Sequence, residues 1–550
     1  MNTRLLATLV VSSTVLLGAA PAEAISLKPL GTYESGIFDE GAAEIATFAP
    51  GANRLFVTNA DANTIDVLDL SDPTAISKLF EIDLSPYGDG INSVAYNSAG
   101  YIAAAVESDP AQDPGSVVFF DLDGIFQNAL KVGALPDMVT FTPDGNKLLV
   151  ANEGEPEGYE PGDVDPEGSV SIIDVSGGVA GLTNADVETA TFNAFDSQKQ
   201  DLIDAGVRIF GPGATVSQDL EPEYIAVSED GKTAYVSLQE NNALGLLNLE
   251  TGEFEEIVPL GFKDHSLPGN GLDASDRDDA INIENYPVFG MYQPDAIATY
   301  SVDGKTYVVT ANEGDAREYD GLEEEERIKD LDLDPDAFPN ADALQEDEAL
   351  GRLDITTTLG DTDGDGDFDE LYAYGARSFS IWDEDGNLVW DSGDDFEQKL
   401  AELLPDDFNS TNDENDSFDS RSDAKGPEPE GVTIGAIGGK VFAFIGLERV
   451  GGIMVYDVTD PTNPTFASYT NNRDFNGDAE AGTAGDLGPE GLIFISREDS
   501  PNGQNLVVAT NEVSGTTTVY QAVPEPGTVA GLMVMGAMGA MGLKRRQPRS

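Results

Sequence analysis

Acidic residues recur at two fixed places in a repeated motif of this chain. The first place is the head of a strand pattern, and it holds Glu44, Asp137, Glu223, Asp295, Glu430 and Glu490. The second place ends the next strand pattern, and it holds Glu153, Glu313, Glu448 and Glu512, with Gln239 in one copy. Crowded carboxylates raise one another's pKa unless a cation lies among them, and such hard oxygen ligands suit Ca²⁺. Two interpretations stay open: a metal site, or carboxylates that accept hydrogen bonds from backbone N–H groups at strand ends.

A second group of carboxylates lies in one short Asp-rich loop, which the sequence predicts to bind calcium. Its acidic residues stand at every second position, namely Asp361, Asp363, Asp365, Asp367 and Asp369. With Gly366 at the sixth position, the spacing resembles the start of an EF-hand loop. Tyr372 occupies the twelfth position, where an EF-hand has a bidentate glutamate, and no strong flanking helices appear. We therefore expect a structural Ca²⁺ loop without an EF-hand domain.

Other side chains offer fewer options for chemistry. The chain has no cysteine and one histidine, His265, which excludes thiol nucleophiles and a typical zinc site. His265 is either a general base or a hydrogen-bonded loop residue, and Glu430 and Glu490 are the other catalytic candidates. Arg317 and Arg377 are scarce cations that either clamp an anion or neutralise nearby acids.

The elements that must position these residues form a repeat of strand, tight turn and strand. Leu135–Phe141, the turn Pro143-Asp144-Gly145 and the strand patterns Lys147–Glu153 and Ser169–Val175 give one copy. Seven copies begin near residues 44, 91, 135, 221, 293, 426 and 488. One such antiparallel sheet cannot bury both of its faces alone, so radial packing is expected.

This repeat predicts an all-β fold, a seven-bladed β-propeller over residues 25–522. Its outer strand in the last blade would come from Leu27–Tyr33. Because the start of one antiparallel strand lies beside the end of the next, both acidic positions would surround one mouth of the central channel. A pair of β-sandwiches is the alternative architecture.

Two long polar segments interrupt the repeat, at about residues 262–290 and 315–425. They are too polar for a core and too long for propeller turns, so we expect them to lie over one face as loops. Residues 406–423 are acidic and almost free of large apolar side chains, and we expect disorder there.

The whole chain is strongly acidic. It has 102 acidic and 28 basic residues and a formal net charge of −74. Such a protein repels nucleic acid and anionic membrane surfaces and concentrates cations around itself. Divalent cations are therefore expected partners and nucleic acid is not.

Residues 1–24 have the pattern of a secretory signal peptide. Arg4 supplies a positive charge, Leu5–Leu17 an apolar run, and Ala22-Glu23-Ala24 a small-residue cleavage site. The pattern predicts export through the general secretory route.

Residues 523–550 combine a short motif, an apolar run and a basic cluster. Pro524, Glu525 and Pro526 precede Gly527–Leu543, and Arg545 and Arg546 follow. This order resembles the PEP-CTERM sorting signal of exported bacterial proteins, which implies an apolar anchor helix and an exosortase as processing partner. The protein would then stay in the cell-envelope membrane through this segment alone, or reach the surface or medium after processing. An ordinary membrane helix is the alternative.

Several longer stretches resemble the choice-of-anchor I family: Lys263–Asp278, Ala311–Arg317, Tyr374–Trp382 and Lys425–Gly431. The strand-turn-strand frame is also similar to that of YVTN and lactonase-like propellers. The family resemblance implies an exported propeller with interchangeable C-terminal anchors. Some bacterial members carry an alkaline-phosphatase-like label, but the resemblance supplies no catalytic residues.

Two functions follow as hypotheses. The first is a calcium-stabilised surface or extracellular binding scaffold with an unknown partner. The second is a metal-dependent hydrolase for a phosphoester or lactone at the channel mouth, where a metal would activate water and a ring carboxylate or His265 would act as base. One histidine cannot serve the paired zinc site of a conventional alkaline phosphatase.

Overall fold

The computed structural model describes residues 25–524, and most of the regular structure in them is β-strand. Seven four-stranded antiparallel sheets are found in this range, which we number sheet 1 to sheet 7. Sheet 1 consists of Ala46–Ala49, Arg54–Asn59, Thr64–Asp69 and Ser77–Asp83, and sheet 2 of Ile91–Asn97, Tyr101–Val106, Pro114–Asp121 and Phe126–Ala134. Sheet 3 consists of Pro136–Phe141, Lys147–Asn152, Ser169–Asp174 and Val187–Thr191, and sheet 4 of Ile225–Val227, Thr233–Leu238, Ala243–Asn248 and Glu253–Pro259. Sheet 5 consists of Ile297–Val302, Lys305–Asn312, Ser378–Asp383 and Leu388–Asp391, and sheet 6 of Pro429–Ile437, Lys440–Leu447, Ile453–Asp457 and Thr465–Thr470. Sheet 7 consists of Pro489–Ile495, Leu506–Asn511, Thr516–Pro524 and Ile25–Glu34.

Sheet 7 joins the two ends of the described chain. The strand Ile25–Glu34 pairs antiparallel with Thr516–Pro524, and Leu27 lies opposite Ala522. Ile25 and Leu27 are buried against sheet 6. The prediction that Leu27–Tyr33 supplies the outer strand of the last sheet is confirmed.

The apolar core is divided among the spaces between neighbouring sheets. Within sheet 3, Leu148 and Val150 pack towards sheet 2, whereas Leu149 and Ala151 pack towards sheet 4. The alternation of side chains along a strand thus serves two interfaces at once. Equivalent clusters lie between sheets 1 and 2, 4 and 5, 5 and 6, 6 and 7, and 7 and 1.

The sheets therefore follow one another in a closed cycle. The first strand of each sheet packs on the first strand of the next, and that of sheet 7 packs on that of sheet 1. The predicted all-β fold is confirmed, and the cycle is the arrangement of a β-propeller. Two β-sandwiches would leave sheets with a single neighbour, whereas each of the seven four-stranded sheets within residues 25–524 has two.

The long segments between sheets carry further short elements. A five-stranded sheet joins Phe262–Asp264, Phe289–Met291, Tyr372–Ala373, Asp354–Thr356 and Glu325–Arg327, and a two-stranded sheet joins Glu318–Tyr319 and Leu322–Glu323. The α-helices of the described residues are Lys199–Ala205, Val216–Asp219, Ala341–Leu344 and Asp395–Leu403, and the 3₁₀ helices are Asn184–Asp186, Asn193–Gln198 and Ile328–Asp330.

Two features of these segments correct the sequence analysis. Residues 315–425 are not one insertion, because Ser378–Asp383 and Leu388–Asp391 are the third and fourth strands of sheet 5. The segments are also not too polar for a core, since Leu272, Leu353 and Leu371 are fully buried in a cluster of their own. Apolar residues spread thinly over a long acidic stretch still converge when the chain folds back on itself.

The expectation of disorder in residues 406–423 is wrong. Phe408 is fully buried there, and polar side chains satisfy one another around it. The Nδ2 of Asn409 donates to the Oγ of Ser422 at 2.9 Å, and that hydroxyl donates to the Oδ1 of Asp419 at 2.6 Å. A buried network of this kind orders a segment that has few apolar residues.

The predicted signal peptide and most of the predicted sorting signal lie outside the described residues, Glu525, Pro526, Arg545 and Arg546 included. Pro524 ends the third strand of sheet 7. In the part of the chain that is described, no helix has the length and apolarity needed to cross a membrane.

Replacing Leu353 by alanine tests the core of the inserted segments. Leu353 is fully buried, so Leu353→Ala is expected to lower the free energy of unfolding by about 2–5 kcal/mol. Leu403→Ala is the matched control, because Leu403 is 46% exposed, and it should cost less than about 1 kcal/mol. Calorimetry of the two variants measures the difference. Equal stability would contradict a packed core in these segments.

Candidate functional site

The predicted acidic positions meet in one cavity of about 480 Å³. Nine of the ten predicted ring carboxylates line it, and they come from sheets 3 to 7: Asp137, Glu153, Glu223, Asp295, Glu313, Glu430, Glu448, Glu490 and Glu512. Glu44 lies close to this set, because the charges of Glu512 and Asp137 raise its pKa. The two acidic positions of the repeat therefore surround one end of the channel.

A backbone irregularity places the first acid of each pair. In sheets 3, 6 and 7, the proline before the acid pairs with the end of the second strand. The pairing register of the first two strands then shifts across the acid and the residue after it. Two residues thus face one, as in a β-bulge, which redirects a side chain out of the alternating pattern. The residue before the proline has positive φ in these sheets: Leu135, Glu428 and Gly488. The Pro-acid motif is therefore a device for aiming a carboxylate into the channel.

The same irregularity holds the second acid. The N–H of Glu153 donates to the carbonyl of Leu135 at 2.9 Å, and the N–H of Glu448 donates to the carbonyl of Glu428 at 2.9 Å. The N–H of Glu512 donates in the same way to Gly488, at 2.8 Å. Each residue of positive φ thus fixes the start of one strand to the end of the next, and both acids emerge side by side.

Glycine after the acid lets neighbouring sheets approach closely at the channel. A Cβ atom on Gly431 would lie 1.9 Å from the backbone oxygen of Glu490, and one on Gly491 would lie 2.3 Å from that of Glu44. Only glycine fits between these strands. The Pro-Glu-Gly sequence therefore packs the acid-bearing strands tightly and brings their carboxylates together.

Burial and mutual repulsion raise the pKa values of several of the cavity carboxyls, Glu44, Asp137, Glu430 and Glu490 among them. Burial, with the charges of Glu512 and Asp137, raises the pKa of Glu44 to about 8. Burial and the charge of Glu155 raise the pKa of Asp137 to about 7. Glu430 and Glu490 have pKa values well above the ordinary range for the same reasons, burial first. The cavity thus holds more negative charge than its surroundings stabilise.

Hydrogen bonds within the protein do not satisfy all of the carboxylate oxygens in the cavity. One carboxylate oxygen of each of Glu223, Glu430, Glu448 and Glu490 is buried without a hydrogen-bond partner. A carboxylate that served only to accept backbone N–H groups at a strand end would have its oxygens occupied. The interpretation of the rings as strand-end acceptors therefore leaves these four oxygens unexplained.

Basic side chains compensate only one side of the cavity. Lys425 lies 2.7 Å from the carboxylate of Glu313, and Arg449 lies 2.6 Å from Glu428 and 3.1 Å from Glu448. Burial alone would raise the pKa of Glu428, but Lys425 and its neighbouring arginines lower it to about 2. Lys425 and Arg449 were not predicted from the sequence as cavity residues, although both lie within a few residues of ring glutamates in the chain.

The Asp-rich loop divides into two groups of possible ligands. Carboxylate oxygens of Asp361, Asp363 and Asp365 lie within 4.8 Å of one another and are exposed. The Oδ1 of Asp361 also accepts the N–H of Gly364 at 2.7 Å, which curls the loop around that carboxylate.

The remaining two aspartates of the loop join a residue from elsewhere. Carboxylate oxygens of Asp367, Asp369 and Asp334 lie within 4.8 Å of one another. Asp334 was not predicted from the sequence as a ligand. Burial and a hydrogen bond with Asp365 raise the pKa of Asp367 to about 6. The five aspartates of the predicted calcium loop therefore belong to two groups of carboxylates, Asp361, Asp363 and Asp365 in one and Asp367 and Asp369 with Asp334 in the other, and calcium binding stays a prediction.

His265 does not line the acidic cavity. Its ring is buried, its Nδ1 lies 2.7 Å from the carbonyl oxygen of Asn270, and its Nε2 lies against Gly290. Burial, with the charge of Lys263, lowers the pKa of His265 well below its ordinary value. The hypothesis that His265 is a general base at the channel mouth is therefore wrong, and a hydrogen-bonded loop residue fits the structure.

Arg317 and Arg377 are both buried and fully engaged inside the protein. Arg317 pairs with Asp219 at 3.1 Å and with Glu221 at 2.8 Å. Arg377 pairs with Glu397 at 2.6 Å and donates to backbone carbonyl groups. The anion-clamp hypothesis is wrong for both residues, which neutralise internal acids.

Known proteins are similar to this chain in sequence. A family model described as "Choice-of-anchor I domain" matches residues 44–461, which confirms the family resemblance. "Mesenchyme-specific cell surface glycoprotein" of Strongylocentrotus purpuratus is 28% identical over 351 residues, which cover 57% of this chain and 42% of that protein. "Gigasin-3a" of Magallana gigas is 33% identical over 189 residues, 32% of this chain and 66% of that protein. The chain thus spans less than two thirds of the length of each curated relative.

Solved structures resemble the chain more distantly. Hydrazine synthase of Kuenenia stuttgartiensis has a TM-score of 0.44 at 13% identity, with 90% of this chain and 100% of that chain covered. Streptogramin B lyase has a TM-score of 0.43 at 11% identity, with 91% and 98% covered. Both scores lie below 0.5, so the fold assignment rests on the sheets and their packing alone.

The crowded carboxyls predict an unusual pH dependence of stability. The pKa values of about 8 for Glu44 and about 7 for Asp137 exceed the ordinary values near 4, so the folded state binds more protons between about pH 5 and pH 8. In EDTA, the melting temperature should therefore rise as the pH falls through this window.

Calorimetry at constant ionic strength checks this expectation. The variant Glu44→Gln/Asp137→Asn should show a flatter profile, and the exposed control Asp61→Asn/Asp303→Asn should keep the profile of the unchanged chain. A melting temperature that falls from pH 8 to pH 5 would contradict carboxylate repulsion in the cavity.

Proposed function

Because this chain belongs to the choice-of-anchor I family, we propose that it is an exported, surface-associated β-propeller that acts as a calcium-stabilised binding scaffold. A relative is named a cell surface glycoprotein, which supports a place outside the cell. The predicted signal peptide and sorting segment would direct export, membrane attachment and processing by an exosortase-type enzyme. Each of the seven four-stranded sheets is one blade in this proposal.

The acidic cavity is the observation that carries the proposal. Carboxylates from sheets 3 to 7 line one cavity, and several of their oxygens have no hydrogen-bond partner. A site of this kind attracts cations, whether free divalent ions or basic groups of a partner. Nucleic acid is not a partner in this proposal, because a net charge of −74 repels phosphate.

Calcium in the Asp-rich loop stabilises the scaffold in this proposal. Asp361, Asp363 and Asp365 offer three carboxylates in a tight loop, and Asp334 adds a ligand to the second group beside it. Without a cation, Asp365 raises the pKa of Asp363 by repulsion. Oxygen ligands and loop flexibility suit Ca²⁺ better than Mg²⁺.

Changing the loop tests its calcium. Asp363→Asn/Asp365→Asn removes two of the three exposed carboxylates, so we expect the full chain to bind one Ca²⁺ fewer in equilibrium dialysis. The rise in melting temperature between EDTA and Ca²⁺ should also shrink, since a bound ion stabilises the folded state. Asp61→Asn/Asp303→Asn, with the same change in charge at exposed positions, should bind as the unchanged chain does. Equal calcium binding by all three proteins would refute the loop site.

A metal-dependent hydrolase is the second candidate function, and the raised pKa values in the cavity favour it. Glu430 and Glu490 have pKa values raised by burial, so one carboxyl could stay protonated beside a charged one, as general acid–base chemistry requires. A metal in the cavity would polarise a phosphoester or lactone and activate water.

Turnover assays separate the two functions. As a scaffold, the full chain is expected to hydrolyse no phosphomonoester, phosphodiester or lactone, with or without Ca²⁺. If any ester is turned over, Glu430→Gln and Glu490→Gln should each reduce kcat/KM at least about tenfold, whereas the exposed control Glu188→Gln should not. Such a result would replace the scaffold by the hydrolase.

A further inference from the structure

Three glutamates converge where sheets 3 and 4 meet, and two of them, Glu153 and Glu223, line the acidic cavity. One carboxylate oxygen from each of Glu153, Glu223 and Glu240 lies within 4.8 Å of the other two. Glu153 follows the second strand of sheet 3, and Glu223 precedes the first strand of sheet 4. Glu240 follows the second strand of sheet 4, and the sequence analysis did not identify it. The group therefore spans the boundary between sheets 3 and 4.

Two of the three glutamates are buried with an oxygen that nothing satisfies. Glu223 is 8% exposed and Glu240 is 5% exposed, and the Oε2 atom of each has no hydrogen-bond partner. A buried charged oxygen without a partner is strongly unfavourable. These two oxygens are therefore a second observation, independent of the acidic clustering, that points to a missing positive ligand.

The basic side chains near the cavity are paired with other acids. Lys425, Arg421 and Arg449 are paired with Glu313, Glu428 and Glu448 on the other side. Arg317 acts on Glu240 through its charge, but its guanidinium is already paired with Asp219 and Glu221. Within the described residues, no salt bridge reaches Glu153, Glu223 or Glu240.

We propose that Glu153, Glu223 and Glu240 together bind one divalent cation of the size of Ca²⁺, which joins sheets 3 and 4 at the channel. This inference rests on the proposed function, in which the cavity attracts cations, and it names the ligands. Oxygens around Ca²⁺ at roughly 2.4 Å lie at most about 4.8 Å apart, which the three glutamates satisfy. Three carboxylates without histidine or cysteine are hard ligands, which do not select zinc or copper.

The experiment removes this site in a chain whose exposed loop is already disabled. The background is the full chain with Asp363→Asn/Asp365→Asn, and the test variant adds Glu223→Gln/Glu240→Gln. The matched control adds Glu188→Gln/Glu256→Gln instead, at exposed positions of sheets 3 and 4. Equilibrium dialysis against Ca²⁺ and against Mg²⁺ measures the number of ions bound and their affinity.

The background and the control are expected to bind one Ca²⁺ more than the test variant, or to bind it at least about tenfold more tightly. Equal number and affinity in all three chains would overturn the inference. Mg²⁺ is expected to bind more weakly, because it requires shorter distances and octahedral geometry. Binding of Mg²⁺ as tight as that of Ca²⁺ would overturn the assignment to a calcium-sized ion.

Melting temperatures distinguish a cation site from a purely structural role of the glutamates. In EDTA, the test variant should melt at the same temperature as the background or higher, because glutamine removes repulsion. Ca²⁺ should then raise the melting temperature of the background and the control by more than that of the test variant. A test variant that melts lower in EDTA, or that gains as much from Ca²⁺, would overturn the inference.

The outcomes also separate this inference from the proposed function. If the unchanged chain binds Ca²⁺ but the background chain binds none, the inference fails and the loop calcium of the scaffold stands. If the unchanged chain binds no Ca²⁺ at all, both fail.

Discussion

Repulsion among carboxylates at one end of the channel is the constraint on which the rest of the structure depends. Ten acidic side chains, the nine predicted ones and Asp315, share a cavity of about 480 Å³, and the tight packing of the strands holds them there. Gly431 and Gly491 bring the strands into contact, and the bulges after the prolines aim the acids inwards. The core between the sheets must offset this repulsion. An arrangement so costly in stability is expected where charge serves binding or catalysis.

Basic side chains of the inserted segments neutralise part of this negative charge. Lys425 reaches Glu313 and the buried Glu428, and Arg421 from the same segment pairs with Glu428 as well. The segments are therefore more than loops over a face, because they carry positive charge into the cavity and have an apolar core of their own. Their salt bridges to the cavity carboxylates are one-sided, because in the described part of the chain none of them reaches Glu153, Glu223 or Glu240.

Much of the fold could be predicted from the sequence because the repeat is local. A strand, a Pro-Asp-Gly turn and a second strand can be predicted from neighbouring residues. The Pro-acid motif at the head of the first strand predicts the channel positions, such as Asp137 and Glu430. The same signal could not find Glu240 or Asp334, since their partners are far away in the chain. Arg317 and Phe408 show a second limit: an acidic, polar stretch looks solvated in sequence, and only the folded contacts show that its side chains satisfy one another.

Anomalous X-ray diffraction from crystals grown with Ca²⁺ tests the central claim most directly. The account predicts an anomalous peak at the channel between the carboxylates of Glu153, Glu223 and Glu240, with metal–oxygen distances of about 2.3–2.6 Å. A peak at the Asp-rich loop alone, with these three glutamates pointing apart or bonded to protein groups, would contradict it.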